Sequence, residues 1–188
     1  MRKIISLFQR NYDGDRLVRD EIVPGAEWVV AGEGIATRKM DGTCCMIRGG
    51  KLFKRYDVKK GRAVPPGFEP AQEPDETTGH WPGWLPVGDG PEDEWHREAM
   101  QFWIDSKHPI QDGTYELVGP KIQGNPEAWH RHGLIYHNGV GLILSVQPPR
   151  TFEGIKDYLS DGLIEGIVWH HPDGRMVKIK AKDFGIRR

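Results

Sequence analysis

Two stretches rich in β-branched and aromatic residues, Thr43 to Arg48 and Lys51 to Tyr56, are separated only by Gly49-Gly50. A two-residue connection between strands needs positive φ angles, which glycine adopts without steric cost, so this stretch predicts a tight antiparallel hairpin. An isolated hairpin is marginal in water and needs further strands or a helix to cover one face. The sequence offers both. Ile4 to Phe8, Trp28 to Val30, Gly34 to Arg38, Leu52 to Val58, Thr114 to Val118, Gly141 to Val146, Ile164 to His170 and Met176 to Lys180 read as strands. Glu92 to Ser106 and Thr151 to Ser160 read as helices. In the second, Thr151 can cap the N-terminus, Glu153 suits the first turn, Gly162 follows the end, and Phe152, Ile155, Tyr158 and Leu159 form one apolar stripe. The expected class is α+β, with mainly antiparallel sheets flanked by helices. Lys39 and Arg55 are expected on neighbouring antiparallel strands.

A chain of 188 residues suits one domain, so residues 1–188 are expected to fold as a single unit. Hydrophobic residues at 37%, charged residues at 28% and a mean hydropathy of -0.60 fit a globular chain, and no apolar run approaches the roughly 20 residues that span a bilayer. A cytoplasmic, monomeric protein without a membrane partner is the expectation. Cys44 and Cys45 are adjacent, which disfavours a disulfide between them, and two cysteines cannot build a cysteine-rich zinc site. Among the histidines, His130, His132, His137 and the pair His170-His171 lack further partners at a familiar metal-binding spacing.

The net charge of -1 conceals segregation. Lys51, Lys54, Arg55, Lys59, Lys60 and Arg62 oppose one acid, Asp57, whereas Glu69 to Glu98 contains Arg97 as its only Lys or Arg. The last stretch, with Arg175, Lys178, Lys180, Lys182, Arg187 and Arg188, is basic again. Two basic segments suit phosphate binding. Between them, Ala63 to Gly90 is dense in Pro and Gly and carries Trp81 and Trp84; such a long loop is either functional or tied down by those tryptophans.

Within this framework Lys39-Met40-Asp41-Gly42 is followed in order by Arg55, by Glu116 in Tyr115-Glu116-Leu117-Val118, by Glu165 before Gly166-Ile167-Val168, and by Lys178-Ile179-Lys180. Acids within apolar strands are costly unless paired or bound to a ligand or metal. A free lysine is almost wholly protonated near pH 7, and neighbouring cations, a metal ion or partial desolvation favour its nucleophilic neutral form. Lys178, Lys180 and Arg55 can supply that field, and the same cations can neutralise phosphates. An aromatic platform for a base is expected between Glu116 and Glu165; Tyr136 is chosen over Trp129 and His137, against the alternative that it is core. Phosphate-loop, dinucleotide-fold and serine-elbow signatures are missing.

These five elements resemble motifs of the covalent nucleotidyltransferase superfamily of polynucleotide ligases and capping enzymes. Lys39-Met40-Asp41-Gly42-Thr43-Cys44-Cys45 and Lys178-Ile179-Lys180-Ala181-Lys182-Asp183-Phe184-Gly185 are similar to a small ATP-dependent RNA ligase family. The resemblance covers roughly Gly34 to Gly185 and implies an ATP-grasp-like nucleotidyltransferase fold, with the nucleotide in a cleft between two sheets. By that likeness Lys39 is the nucleophile that carries AMP, Arg55 binds phosphate or the RNA end, Glu116 holds the ribose, Glu165 binds Mg2+ or Mn2+, and Lys178 and Lys180 bind the α-phosphate. The implied partner is RNA with 5'-phosphate and 3'-hydroxyl ends, gripped by Lys54, Arg55 and Lys59 of the basic hairpin. Only eight residues follow Lys180, so no C-terminal accessory or OB domain is expected. Two readings remain beside this one: AMP transfer to a protein or small molecule, and a non-catalytic nucleotide- or RNA-binding module.

Overall fold

The structure, a computed structural model, describes residues 3–76, 78–107 and 109–187. Met1, Arg2, Thr77 of the Pro- and Gly-rich stretch, His108 and Arg188 of the basic tail lie outside the described residues. The strands are β1 (Ile5–Ser6), β2 (Phe8–Arg10), β3 (Val18–Ile22), β4 (Ile35–Lys39), β5 (Thr43–Arg48), β6 (Lys51–Val58), β7 (Glu69–Pro70), β8 (Trp81–Pro86), β9 (Gly113–Val118), β10 (Gly133–Tyr136), β11 (Gly166–His170) and β12 (Met176–Lys180). The α-helices are α1 (Glu27–Val30), α2 (Glu94–Asp105) and α3 (Phe152–Tyr158). The class is α+β and mostly sheet. No helix among the described residues is long and apolar enough to cross a membrane.

The chain divides into two compact units, one of Ile4–Met40 with Val140–Arg188 and the other of Met1–Lys3 with Asp41–Gly139. In the first, a four-stranded sheet has the order β1-β12-β11-β4, with β1 parallel to β12 and the other pairs antiparallel. A β2-β3 hairpin and α3 complete it. Alternation sends Ala36, Ile167, Trp169, Val177 and Ile179 into the core, all fully buried, with Leu7, Phe8, Ile155 and Leu159. Phe8, Phe152 and Phe184 meet edge to face. Thr151 caps α3 through the Gly154 N–H as its sequence foretells.

Two expected strands of this unit are not strands. Trp28 and Val29 are both buried, and a helical turn can place adjacent residues against one core where a strand would send them to opposite faces. Gly141 to Val146 forms a 3-10 turn, Val140–Leu142, and then a bridge from Ile143 to Thr37. Leu144 N–H donates to the Ala36 carbonyl at 3.1 Å and the Gln147 side chain accepts from Ala36 N–H at 2.8 Å, so this irregular segment covers the β4 edge.

The other unit holds an antiparallel six-stranded sheet, β10-β9-β5-β6-β8-β7. The hairpin at its centre has the expected register, Arg48 opposite Lys51, with φ of 55° and 72° at Gly49 and Gly50. On one face Cys45, Ile47, Leu52, Tyr115, Leu117 and Leu134 are covered by Trp95, Ala99, Met100 and Trp103 of α2. The Pro- and Gly-rich stretch supplies the edge strand β7 and its neighbour β8, and its tryptophans are anchors. Trp84 is buried, and the Trp81 indole donates to the Gln72 carbonyl at 2.7 Å. Lys39 and Arg55 are not on neighbouring strands: β4 pairs with β11, whereas β6 pairs with β5 and β8. The chain leaves the first sheet after Lys39 and starts the second at Thr43. A side chain at Gly42 would lie 2.2 Å from the Leu117 carbonyl oxygen, which explains the glycine at the crossing.

Candidate active site

Strand register assembles the first polar cluster. Gly166 lies opposite both Lys39 and Lys180, and Val168 lies opposite both Thr37 and Lys178. The period of two then puts Lys39, Lys178 and Lys180 on the sheet face away from the core. A Cβ at Gly166 would lie 2.1 Å from the Ile179 carbonyl oxygen, so this central position admits only glycine at the observed strand spacing.

Glu165 precedes β11 instead of lying within it, and its carbonyl accepts from Ala181 N–H at 2.9 Å. Its largely buried carboxylate is shared: Oε2 pairs with Lys39 Nζ, and Oε1 lies 2.8 Å from Lys180 Nζ. Burial pushes the Glu165 pKa up, but the Lys39 and Lys180 ammonium groups outweigh it and hold the carboxyl below its usual range. Lys178 forms no ion pair among the described residues. Burial, then the charges of Lys180 and Lys39, lower its pKa to about 8. Three ammonium groups around one carboxylate leave an excess of positive charge suited to an anionic ligand. On the same face Thr37 Oγ1 donates to the Val168 carbonyl and lies 3.1 Å from His170 Nε2. Below the cluster, buried Asp183 accepts from Lys180 N–H at 3.0 Å and pairs with Arg10, which pins the end of β12.

The six-stranded sheet carries a second polar group. Glu116, 7% exposed, lies opposite Cys44 across β9 and β5, and its Oε2 is 2.9 Å from His137 Nε2. His137 Nδ1 is in turn 2.9 Å from Thr114 Oγ1, which fixes the ring. Further along this face Arg55 stacks over Trp84, 5.1 Å from the ring centre, with Asp57 at 3.9 Å.

The other expected residues are placed differently. Tyr136 is on the core face, 5.0 Å from the Tyr115 ring, and does not join Glu116. Lys54 points to the face opposite Arg55 and pairs with buried Asp93 at 2.6 Å, tying β6 to the start of α2. Burial works against ionisation of Asp93, but the Lys54 contacts and the Gly88 N–H hold its pKa below normal. Lys59 is exposed beyond the end of β6.

No family model matches the chain. Over most of its length the chain is similar to proteins named RNA ligase 1. That of Pongo abelii is 28% identical over 81% of this chain and 67% of its own length; those of Rattus norvegicus and Danio rerio are each 26% identical over the same shares. The chain is related to the RNA ligase family. In this relative of the RNA ligases, the Lys39, Glu165, Lys178 and Lys180 set foreseen in the sequence is brought together on one sheet face. Thr114, Cys44 and the Glu116 contact of His137 were not foreseen as parts of a site. The alternation of Thr114 with Glu116 hints at a shared face, but nothing in the spacing links His137 or Cys44 to them.

Proposed function

We propose that this chain is an ATP-dependent RNA ligase with a nucleotidyltransferase fold. The observation that carries the reading is the sharing of Glu165 between Lys39 and Lys180, with Lys178 on the same face. The kinship with proteins named RNA ligase 1 supports RNA as the substrate. The neutral Lys39 amine attacks the α-phosphorus of ATP. A P–N bond forms, the bond to pyrophosphate breaks, and the amine gives up a proton to solvent. An RNA 5'-phosphate oxygen then displaces the lysine, which regains its proton, and leaves AMP joined to the 5' end. The RNA 3'-hydroxyl finally attacks the 5'-phosphate, loses its proton and releases AMP. Each step is an in-line substitution at phosphorus, where positioning and charge neutralisation dominate.

Lys178 and Lys180 are suited to hold the α-phosphate, because they lie across β11 from Lys39 on the same sheet face and Lys178 has no carboxylate partner among the described residues. Glu116 is proposed to accept from the ribose hydroxyls and Arg55, whose guanidinium lies over the Trp84 ring, to contact phosphate. Glu165, ionised and oxygen-donating, fits Mg2+ or Mn2+, which would supply neutralisation of phosphate charge.

Intact-mass measurement after incubation with ATP and Mg2+ tests the proposal. One AMP adduct is expected on wild-type protein and none on Lys39→Ala. Addition of 5'-phosphorylated RNA should discharge the adduct, whereas 5'-hydroxyl RNA should not. An adduct that Lys39→Ala retains would sink the nucleophile, and one that 5'-phosphorylated RNA leaves untouched would sink the RNA substrate.

A further inference from the structure

The polar group on the six-stranded sheet contains a ligand set of which the Lys39 chemistry proposed above uses only Glu116. Cys44 Sγ, a Glu116 carboxylate oxygen and a His137 ring nitrogen all lie within 4.8 Å of one another. They come from three sources: Cys44 from β5, Glu116 from its cross-strand position on β9, and His137 from just after β10, where its N–H donates to the Thr114 carbonyl at 3.0 Å. We propose that Cys44, Glu116 and His137 form a three-ligand site for Zn2+, with a fourth position open to water or an exogenous oxygen.

Donor chemistry selects the metal. A thiolate and an imidazole suit the borderline-soft Zn2+, whereas Mg2+ takes oxygen ligands. Tetrahedral coordination with bonds of about 2.0 to 2.3 Å places ligand atoms roughly 3.3 to 3.8 Å apart. The 2.9 Å contact of Glu116 and His137 need only open slightly, and the widest separation, at most 4.8 Å, need only close by about an ångström. Thr114 already supplies the outer contact that orients a metal-binding imidazole: with the ring proton on Nδ1 and given to Thr114 Oγ1, Nε2 presents its lone pair. Binding deprotonates Cys44 and releases that proton to solvent, with no change in oxidation state.

The neighbouring thiol is the internal control. Cys45 is fully buried on the opposite face, its Sγ 3.6 Å from the Tyr115 carbonyl oxygen. Alternation therefore assigns the two cysteines different work, Cys45 to packing and Cys44 to the metal. If Glu116 also accepts from the ribose, which rests on the function proposed above, then Zn2+ and adenosine compete for one carboxylate.

Zn2+ titration against a chromophoric chelator, with Co2+ as the optical substitute, tests the site. Wild-type and Lys39→Ala proteins should each bind one equivalent at this site, with a thiolate-to-cobalt charge-transfer band. Cys44→Ser should lose that band, and Cys44→Ser and His137→Gln should each weaken Zn2+ binding by roughly tenfold or more. In wild-type protein, where no variant can misfold, Zn2+ should protect Cys44 from alkylation. No Zn2+ binding, binding that Cys44→Ser and His137→Gln leave unchanged, or alkylation of Cys44 at an unaltered rate would overturn the proposal. Because Lys39→Ala keeps these ligands, loss of ligase activity and loss of the metal site are read separately. Adenosine that fails to weaken Zn2+ binding would remove the ribose role of Glu116 and leave the metal site standing.

Discussion

On the four-stranded sheet, Glu165 is shared by two ammonium groups with a third on the same face; on the six-stranded sheet, Glu116 is held by an imidazole that Thr114 orients. Both acids are largely buried. The first is stabilised by charges that repel one another once the carboxylate is gone. The second rests on hydrogen bonds between groups that can exchange partners. A buried acid within a strand-rich unit therefore does not by itself reveal its role. The number of cations that share it separates a phosphate-binding charge cluster from an exchangeable set of ligands.

The largest stability effect should come from removing the shared carboxylate. Glu165→Gln leaves three ammonium groups on one face and should cost about 3 kcal/mol, whereas Glu116→Gln, which removes one hydrogen-bonded contact, should cost about 1 kcal/mol. Urea denaturation at pH 7 measures both, and equal losses would erase the contrast between the sheets. The folded-state pKa of Glu165 is depressed, so its contribution is present above the unfolded value, about 4.3, and disappears as pH falls through the lower folded value.

Next in size is the lysine without a carboxylate. Folded Lys178 titrates at about 8 against 10.5 for the free side chain, so between those values the unfolded state binds the additional proton and stability rises with pH. The penalty is fully present below pH 8. Lys178→Met should therefore raise stability at pH 7 by about 1 to 3 kcal/mol and remove the gain that wild-type protein shows on going from pH 8 to pH 10. The smallest effect belongs to the six-stranded face: Arg55→Ala, which removes the contact with Trp84, should cost about 0.5 to 1 kcal/mol and alter the near-ultraviolet dichroism of that indole. A pH-independent Lys178→Met difference, or an Arg55→Ala loss as large as that of Glu165→Gln, would show that the charge clusters are assigned to the wrong sheets.

Local patterning made much of this molecule legible. The Gly49-Gly50 hairpin, strands β9, β11 and β12, and the Thr151 cap follow from period-two alternation, turn chemistry and capping, all of which act over a few residues. The same alternation announced that Lys178 and Lys180 share a face, and the order of charged motifs announced their company with Lys39 and Glu165. Where burial on one side depends on a distant partner, local signals failed. Trp28 and Val29 meet their core through a helical turn, Gly141 to Val146 covers an edge, and the prolines of Trp81–Pro86 did not prevent a strand.

Strand order lay further beyond reach. Lys39 and Thr43 are four positions apart, yet Gly42 carries the chain from one sheet to the other, so Arg55 is not on a neighbouring strand. Tyr136 and His137 are adjacent, yet pairing with β9 sends the first to the core and lets the second reach Glu116. The sequence by itself determined which side chains alternate and which charged groups cluster along the chain, because those depend on covalent spacing. Only the tertiary structure decided that Glu165 sits between Lys39 and Lys180, and that Cys44, Glu116 and His137 converge, because register between distant strands is set by the burial of their opposite faces.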